Sequence, residues 1–230
     1  MPVPRPDQTT GPRRLLRDVV YEKMLAAIMD GTIELGERLN DDELVAWLGV
    51  SRTPVREAIA KLADQAILEI EANRYTKVTA PTWEEFVDTV DIGYHVWSLY
   101  AERAVPKLTD EQLEHVLSVL DARLAAFDSQ KTEDPQALDE MNDVLLEASG
   151  SAGLQRLAAA SGSRLLVLVR RTHSAGHFPW EAARTFTRAL REAFVARDAE
   201  EVGRLIRAQP STWDEYLEAV RASGIFPDED

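Results

Sequence analysis

The stretch AWLGVSRTPVREAIAKLADQ, residues 46–65, decides the reading of this chain. It reads as a turn followed by an amphipathic helix. Gly49 allows a tight turn between two helices. Ser51 suits an N-cap, where its hydroxyl can accept an amide of the first turn. Pro54 lies in that turn, where a missing N–H costs nothing. Val55, Ala58, Ile59 and Leu62 recur at i, i+3, i+4 and i+7 and make one apolar stripe. Arg52, Thr53 and Arg56 fall outside it. Arg52 and Arg56 are four apart and share the exposed face at the helix N-terminus. Free amides and the positive end of the dipole make that terminus suitable for phosphate, and arginines there can also reach guanine edges. The plainer alternative is a surface helix with two solvated arginines.

The wider run GERLNDDELVAWLGVSRTPVREAIAKL closely resembles the winged helix-turn-helix signature of the GntR family of bacterial transcription regulators. The positions that carry the resemblance are Gly36, Arg38, Leu39, Leu44, Leu48, Val50, Ser51, Arg52, Thr53, Pro54, Val55, Arg56, Glu57, Ala58 and Leu62. The family's DNA-contacting arginine ahead of the second helix falls on Arg38. Those of the recognition helix fall on Arg52 and Arg56, with Ser51 and Thr53 beside them. Leu35 stands where the family usually has proline.

Composition bounds the rest. The chain has 230 residues, 45% of them hydrophobic, enough for one large domain or two small ones. Without cysteine there is no disulfide framework, thiolate metal site or thiol nucleophile. The longest apolar run, RLLVLV at 164–169, is too short to cross a membrane. The N-terminal segment has no signal-peptide core, so a cytoplasmic location is expected. The net charge of −14 is uneven: residues 1–80 hold 11 Lys+Arg and 13 Asp+Glu, and residues 81–230 hold 15 and 27. Local cations, not net charge, set phosphate affinity. The acidic second half should keep non-specific DNA binding weak and salt-sensitive.

In chain order, residues 1–12 read as a flexible tail, 13–80 as the DNA-binding domain and 81–225 as an all-helical domain. A helix is expected from Arg13 to Asp30, on the stripe Leu16, Val20, Met24, Ile28 widened by Leu15, Val19 and Leu25. DGTIELGERL is a turn with a short extended lead-in, and Asn40 or Asp41 caps DELVAWL. Residues 67–71 and 75–79 read as a two-stranded hairpin around Ala72-Asn73-Arg74, with Leu68 and Ile70 facing inward. In the family this hairpin is the wing. Tyr75 stands where a glycine is common, which leaves Arg74 as the expected groove contact. From Thr82 onward the fold class is mostly α, six to seven helices near 82–105, 109–127, 135–149, 151–172, 179–196, 198–208 and 211–222. Thr82–Glu85 and Thr109–Gln112 are capping boxes, and Asp134-Pro135 is a cap with proline after it. The end GIFPDED reads as frayed.

The bundle resembles the effector-binding domain of the FadR-like subfamily, on the stretches LDEMNDVLLEASGSAGL (138–154) and TRALREAFVARDAEEVGRLIRAQ (187–209). That resemblance implies a dimer and a small-molecule effector, with organic acids among the candidates. Many members carry a metal centre of one aspartate and three histidines. Asp139 keeps the aspartate position, while Asn142, Thr187 and Gln209 stand at the histidine positions. Amides and a hydroxyl hold transition metals poorly. The expectation is therefore a sensor with no metal and no cofactor, in which these residues bind a ligand by hydrogen bonds. The alternative for each is a satisfied polar residue at a helix boundary. Arg170 or Arg171 would pair with an acidic effector or Asp139, or simply act as a cation at a helix C-terminus. His173 and His177 have the i, i+4 spacing of a metal pair but sit beside SAG and FP, so a loop is expected. His95 and His115 read as packing or surface residues.

The function these readings imply is a dimeric, effector-responsive repressor of double-stranded operator DNA. No catalytic residue is expected, because no nucleophile elbow, phosphate loop or histidine cluster is present. Two further readings remain open at this point. In one, the bundle has lost its ligand and serves only dimerisation; in the other, under a different alignment of the bundle, it senses carboxylates through a metal.

Overall fold

The computed structural model describes residues 15–71, 74–131, 135–172 and 178–228, which form an N-terminal head and a helical bundle packed against it. The tail 1–12, Arg13, Arg14, the hairpin tip Ala72-Asn73, the Asp134 cap, and His173 and His177 lie outside the described residues.

The head runs α1 (Leu16–Asp30), β1 (Arg38–Leu39), α2 (Asp41–Leu48), α3 (Arg52–Asp64), β2 (Leu68–Glu71) and β3 (Tyr75–Val78). Asn40 caps α2 by accepting the Asp42 amide at 2.8 Å. Gly49 ends it at φ 67°, a left-handed conformation that costs glycine little, and its N–H returns to the Val45 carbonyl. The stripe of α3 is fully inside: Val55 and Leu62 are 0% exposed and pack with Val20, Met24 and Ile28 of α1. Each such side chain contributes about 1.5–3 kcal/mol.

Four expectations for the head need correction. The wing is three-stranded, in the order β1-β3-β2, because Arg38 and Leu39 pair with Lys77 and Thr76. A two-residue strand gives no periodicity to read. Ile70 is exposed, and Ile67 is buried instead. Ala66 takes φ 53° and turns the chain, so that the Ile67 amide closes onto the Leu62 carbonyl beneath α3. Leu15 and Leu16 lie exposed at the start of α1. Ser51 occupies the N-cap of α3, but its hydroxyl makes no capping bond.

The bundle comprises α4 (Trp83–Ala104), α5 (Asp110–Asp128), α6 (Pro135–Ser149), α7 (Ala152–Thr172), α8 (Trp180–Val195), α9 (Ala199–Ala208) and α10 (Asp214–Ala222). Both capping boxes form, Thr82 with Glu85 and Thr109 with Gln112. α4 is the central helix: α6, α7 and α9 pack on it, while α5 packs on α8. The C-terminal stretch is not frayed up to Asp228. Phe226 is 2% exposed and stacks on Phe86 at 4.3 Å, and the Trp83 amide donates to the Pro227 carbonyl. The aromatic residue in a polar, glycine-led tail supplies the anchor.

Head and bundle meet along α1 and α7. Leu35, Ile67 and Val78 face Val167 and Leu168. Arg171 pairs with Glu34 at 2.6 Å. Its guanidinium lies over Gly31, where a Cβ would meet Nη1 at 2.1 Å. Among the described residues no helix is long and apolar enough to cross a membrane.

Candidate functional site: a nucleic-acid interface and a polar helical core

The N-terminus of α3 presents Ser51, Arg52, Thr53 and Arg56 together on the surface. Arg52 and Arg56 have 62% and 67% of their side chains exposed. Neither is simply solvated. Nη2 of Arg52 donates to Asp42 at 2.6 Å, and Nε of Arg56 donates to Asp41 at 2.9 Å. Both partners come from the first turn of α2. Exposed pairs of this kind contribute about 0–1 kcal/mol, so a phosphate or base edge can displace or share them. Arg56 spends only its Nε, which leaves both Nη groups for a bidentate contact.

Arg38 lies exposed on β1. Its guanidinium carbon lies 5.3 Å from the Tyr75 ring centre, and Lys77 Nζ lies 5.4 Å from that ring. Tyr75 therefore serves as a platform under two cations, at the position where the family's glycine was expected. Lys77 also pairs with Glu69 at 3.1 Å, and that hydrogen bond raises its pKa. Arg74 is exposed and bonded to Glu71. Sequence reasoning missed the buttressing carboxylates Asp41 and Asp42 and the Tyr75 platform. The acidic pair was visible as DD at the start of α2, but its arginine partners lie 10 and 15 residues further along.

The bundle residues are less gathered. Thr187 is fully buried in the middle of α8 and donates to the Ala183 carbonyl at 2.8 Å, so its hydroxyl is satisfied within its own helix. The Asn142 Oδ1 accepts from the Tyr100 hydroxyl at 2.9 Å. Burial pushes the Tyr100 phenol well up, which keeps it a neutral donor. Gln209 is 3% exposed, at the C-terminal end of α9. Asp139 lies exposed at the rim, not inside. Protein on one side of it raises its pKa, the Asp143 carboxylate adds to the rise, and Arg170 opposes it. Arg170 thus faces Asp139 electrostatically, while its neighbour Arg171 holds the head. Asp139 and Asn142 share α6. Thr187 and Gln209 come from α8 and α9, and no hydrogen bond among the described residues joins the two pairs. His95 is exposed and His115 half-buried. Among the described residues no group of three or more His, Cys, Asp or Glu could hold a metal ion.

A three-helix head with a small wing, arginines at the N-terminus of the third helix and a helical bundle behind it make a winged helix-turn-helix fold joined to a helical domain. Residues 16–78 match the profile described as bacterial regulatory proteins, gntR family. The chain carries a GntR-family DNA-binding domain, and the proteins it resembles are transcription regulators. It is 27% identical over 143 residues to the uncharacterized HTH-type transcriptional regulator YdhC of Bacillus subtilis, covering 60% of this chain and 62% of YdhC. The match to the uncharacterized regulator BphR of Paraburkholderia xenovorans is 26% over 84% of this chain and 82% of that one. The match to a probable D-xylose utilization operon transcriptional repressor of Paenarthrobacter nicotinovorans is 33% over 35% and 37%. The chain thus spans about three fifths of the length of YdhC and just over a third of the xylose repressor. Among solved structures, E. coli McbR/YncC shares the fold at TM-score 0.70 and 19% identity, over 90% of this chain and 98% of that one.

Proposed function

We propose that the protein is a homodimeric transcriptional repressor of the FadR-like type, whose operator affinity responds to a small molecule held in the helical bundle. The observation that carries the reading is the exposed group Arg38, Ser51, Arg52, Thr53 and Arg56 on a head bolted to the bundle through Arg171 and Glu34. Arg74 adds a wing contact to the groove. Two half-sites read by two heads multiply both affinity and specificity. Ile92 and Leu99, seven apart on α4 and 56% and 46% exposed, offer an apolar strip for the second copy.

Coupling runs through α7. Arg170 faces the Asp139 carboxylate of the bundle, and the next residue holds the end of α1. A ligand that rearranges Asp139, Asn142, Thr187 or Gln209 therefore acts on the helix that fixes the head, and the coupling works in both directions. The test is binding of the full chain to duplexes from its own upstream region, at low salt, with mass measured by light scattering. A dimer that shifts one such fragment supports the proposal. A monomer, or no shift with any fragment, counts against it.

A further inference from the structure

Arginines on the later helices of the bundle find carboxylates in their own chain. Arg184 holds Glu181, Arg191 holds Asp121, Arg204 holds Glu201 and Arg221 holds Asp228. Arg103, at the end of α4, is exposed and has no ion pair with another described residue. Asp88, near the start of the same helix, is exposed and equally unpaired among the described residues.

These two charges end one stripe. Asp88, Ile92, His95, Leu99 and Arg103 follow one another at spacings of four, three, four and four, which keeps them on one side of the helix. All five are exposed, while Val90, Tyr94, Ala101 and Ala104 on the opposite side fill the core. Ile92 and Leu99 make the middle of the stripe apolar, one end is acidic and the other basic. The pattern is balanced about the point between His95 and Val96. At 1.5 Å per residue, Ile92 and Leu99 lie about 5 Å to either side of that point, and Asp88 and Arg103 lie about 11 Å from it.

A two-fold axis through that point lays the pattern on itself. An antiparallel second α4 brings Leu99 of the second copy over Ile92 and Arg103 of the second copy beside Asp88, and symmetry supplies the reverse pair. A parallel second α4 would set Asp88 against Asp88 and Arg103 against Arg103, which repels.

We infer that two copies of the chain join through this stripe, as an antiparallel α4 pair with Ile92 and Leu99 at its centre and an Asp88–Arg103 ion pair between copies at each end. The inference rests on the homodimer reading and gives that dimer its axis, its register and its charge pairs. Apolar burial at the centre drives association. The exposed ion pairs add little strength, but like charges in their place oppose docking, so they fix the register.

The experiment is a charge reversal on the full chain, read as molar mass by light scattering over a dilution series and with circular dichroism as the check on folding. The parent should show twice the chain mass of 25.7 kDa. Asp88→Arg alone and Arg103→Asp alone should each raise the dimer Kd about tenfold or more. An equimolar mixture of the two variants should regain the dimer, because each copy then meets the opposite charge on the other. The inference is overturned if the single reversals dimerise as the parent does, which places the interface elsewhere and leaves the homodimer reading standing. It is equally overturned if the variants fall apart singly and the mixture stays monomeric. A parent that is monomeric at every concentration overturns the homodimer reading and the inference with it.

Discussion

The head and the bundle carry their candidate functional residues in opposite ways. In the head, Ser51, Arg52, Thr53 and Arg56 are consecutive or one helical turn apart, and they are exposed. In the bundle, Tyr100, Asn142, Thr187 and Gln209 come from four helices and are wholly or largely buried. A surface that reads a repeating polymer can be written on one helix terminus. A pocket that encloses a small molecule has to be assembled from several helices, so its residues scatter along the chain. The difference also explains how the parts are tied together: one consecutive pair, Arg170 and Arg171, faces both.

Each prediction below strains that contrast, starting with the largest effect. Arg52→Ala and Arg56→Ala should each cost about 1–3 kcal/mol of specific DNA binding, read by titration of a labelled operator, with the circular dichroism spectrum unchanged. Equal loss on all sequences would make these arginines phosphate contacts alone. Gly31→Ala should cost about 1–2 kcal/mol in urea unfolding, since its φ of 85° strains any Cβ. It should cost more than Gly224→Ala, which has φ 71° but no atom within 4 Å of the added carbon. Equal losses at the two glycines would mean that the seat of Arg171 does not hold head and bundle together.

Tyr100→Phe should remove about 1 kcal/mol from bundle stability by deleting the bond to Asn142, with operator affinity untouched. Asp41→Asn should change specific affinity by less than about 1 kcal/mol. It should raise binding to random DNA, because a negative charge facing phosphate is gone, so the specificity ratio falls. An unchanged ratio, with both affinities raised alike, would show that Asp41 only repels DNA. The smallest effect is on pH dependence. The fold raises the Asp139 pKa, so the folded state holds that proton more tightly than the unfolded chain does. Stability should therefore grow slightly as pH falls toward the carboxylate range and decline as pH rises through the raised pKa. Asp139→Asn should flatten that slope in thermal melts.

The head was largely legible in the sequence because its signals are local: the α3 stripe, the Asn40 cap and the Gly49 turn each depend on neighbours within a few residues. The third strand was not, since Arg38 and Leu39 gain their conformation only by pairing with Lys77 and Thr76 far along the chain. Ile67 is buried because the left-handed Ala66 folds it back under α3, and no pattern in ILEIE announces that turn; Ile70 keeps regular register with Thr76 and lies exposed. In the bundle, helix positions were readable from caps and punctuation. Side-chain partners were not: that Thr187 would bond within its own helix, or that Tyr100 would find Asn142, depends on how α4, α6 and α8 pack.

The most direct test of the division of labour is fluorescence anisotropy of the purified chain on a duplex it selects from a random pool, with Arg56→Ala and Gln209→Ala beside the parent. The account predicts that Arg56→Ala loses about tenfold or more in affinity, while Gln209→Ala binds as the parent does. Loss of binding in Gln209→Ala with the fold intact, or parent-like binding in Arg56→Ala, would contradict it.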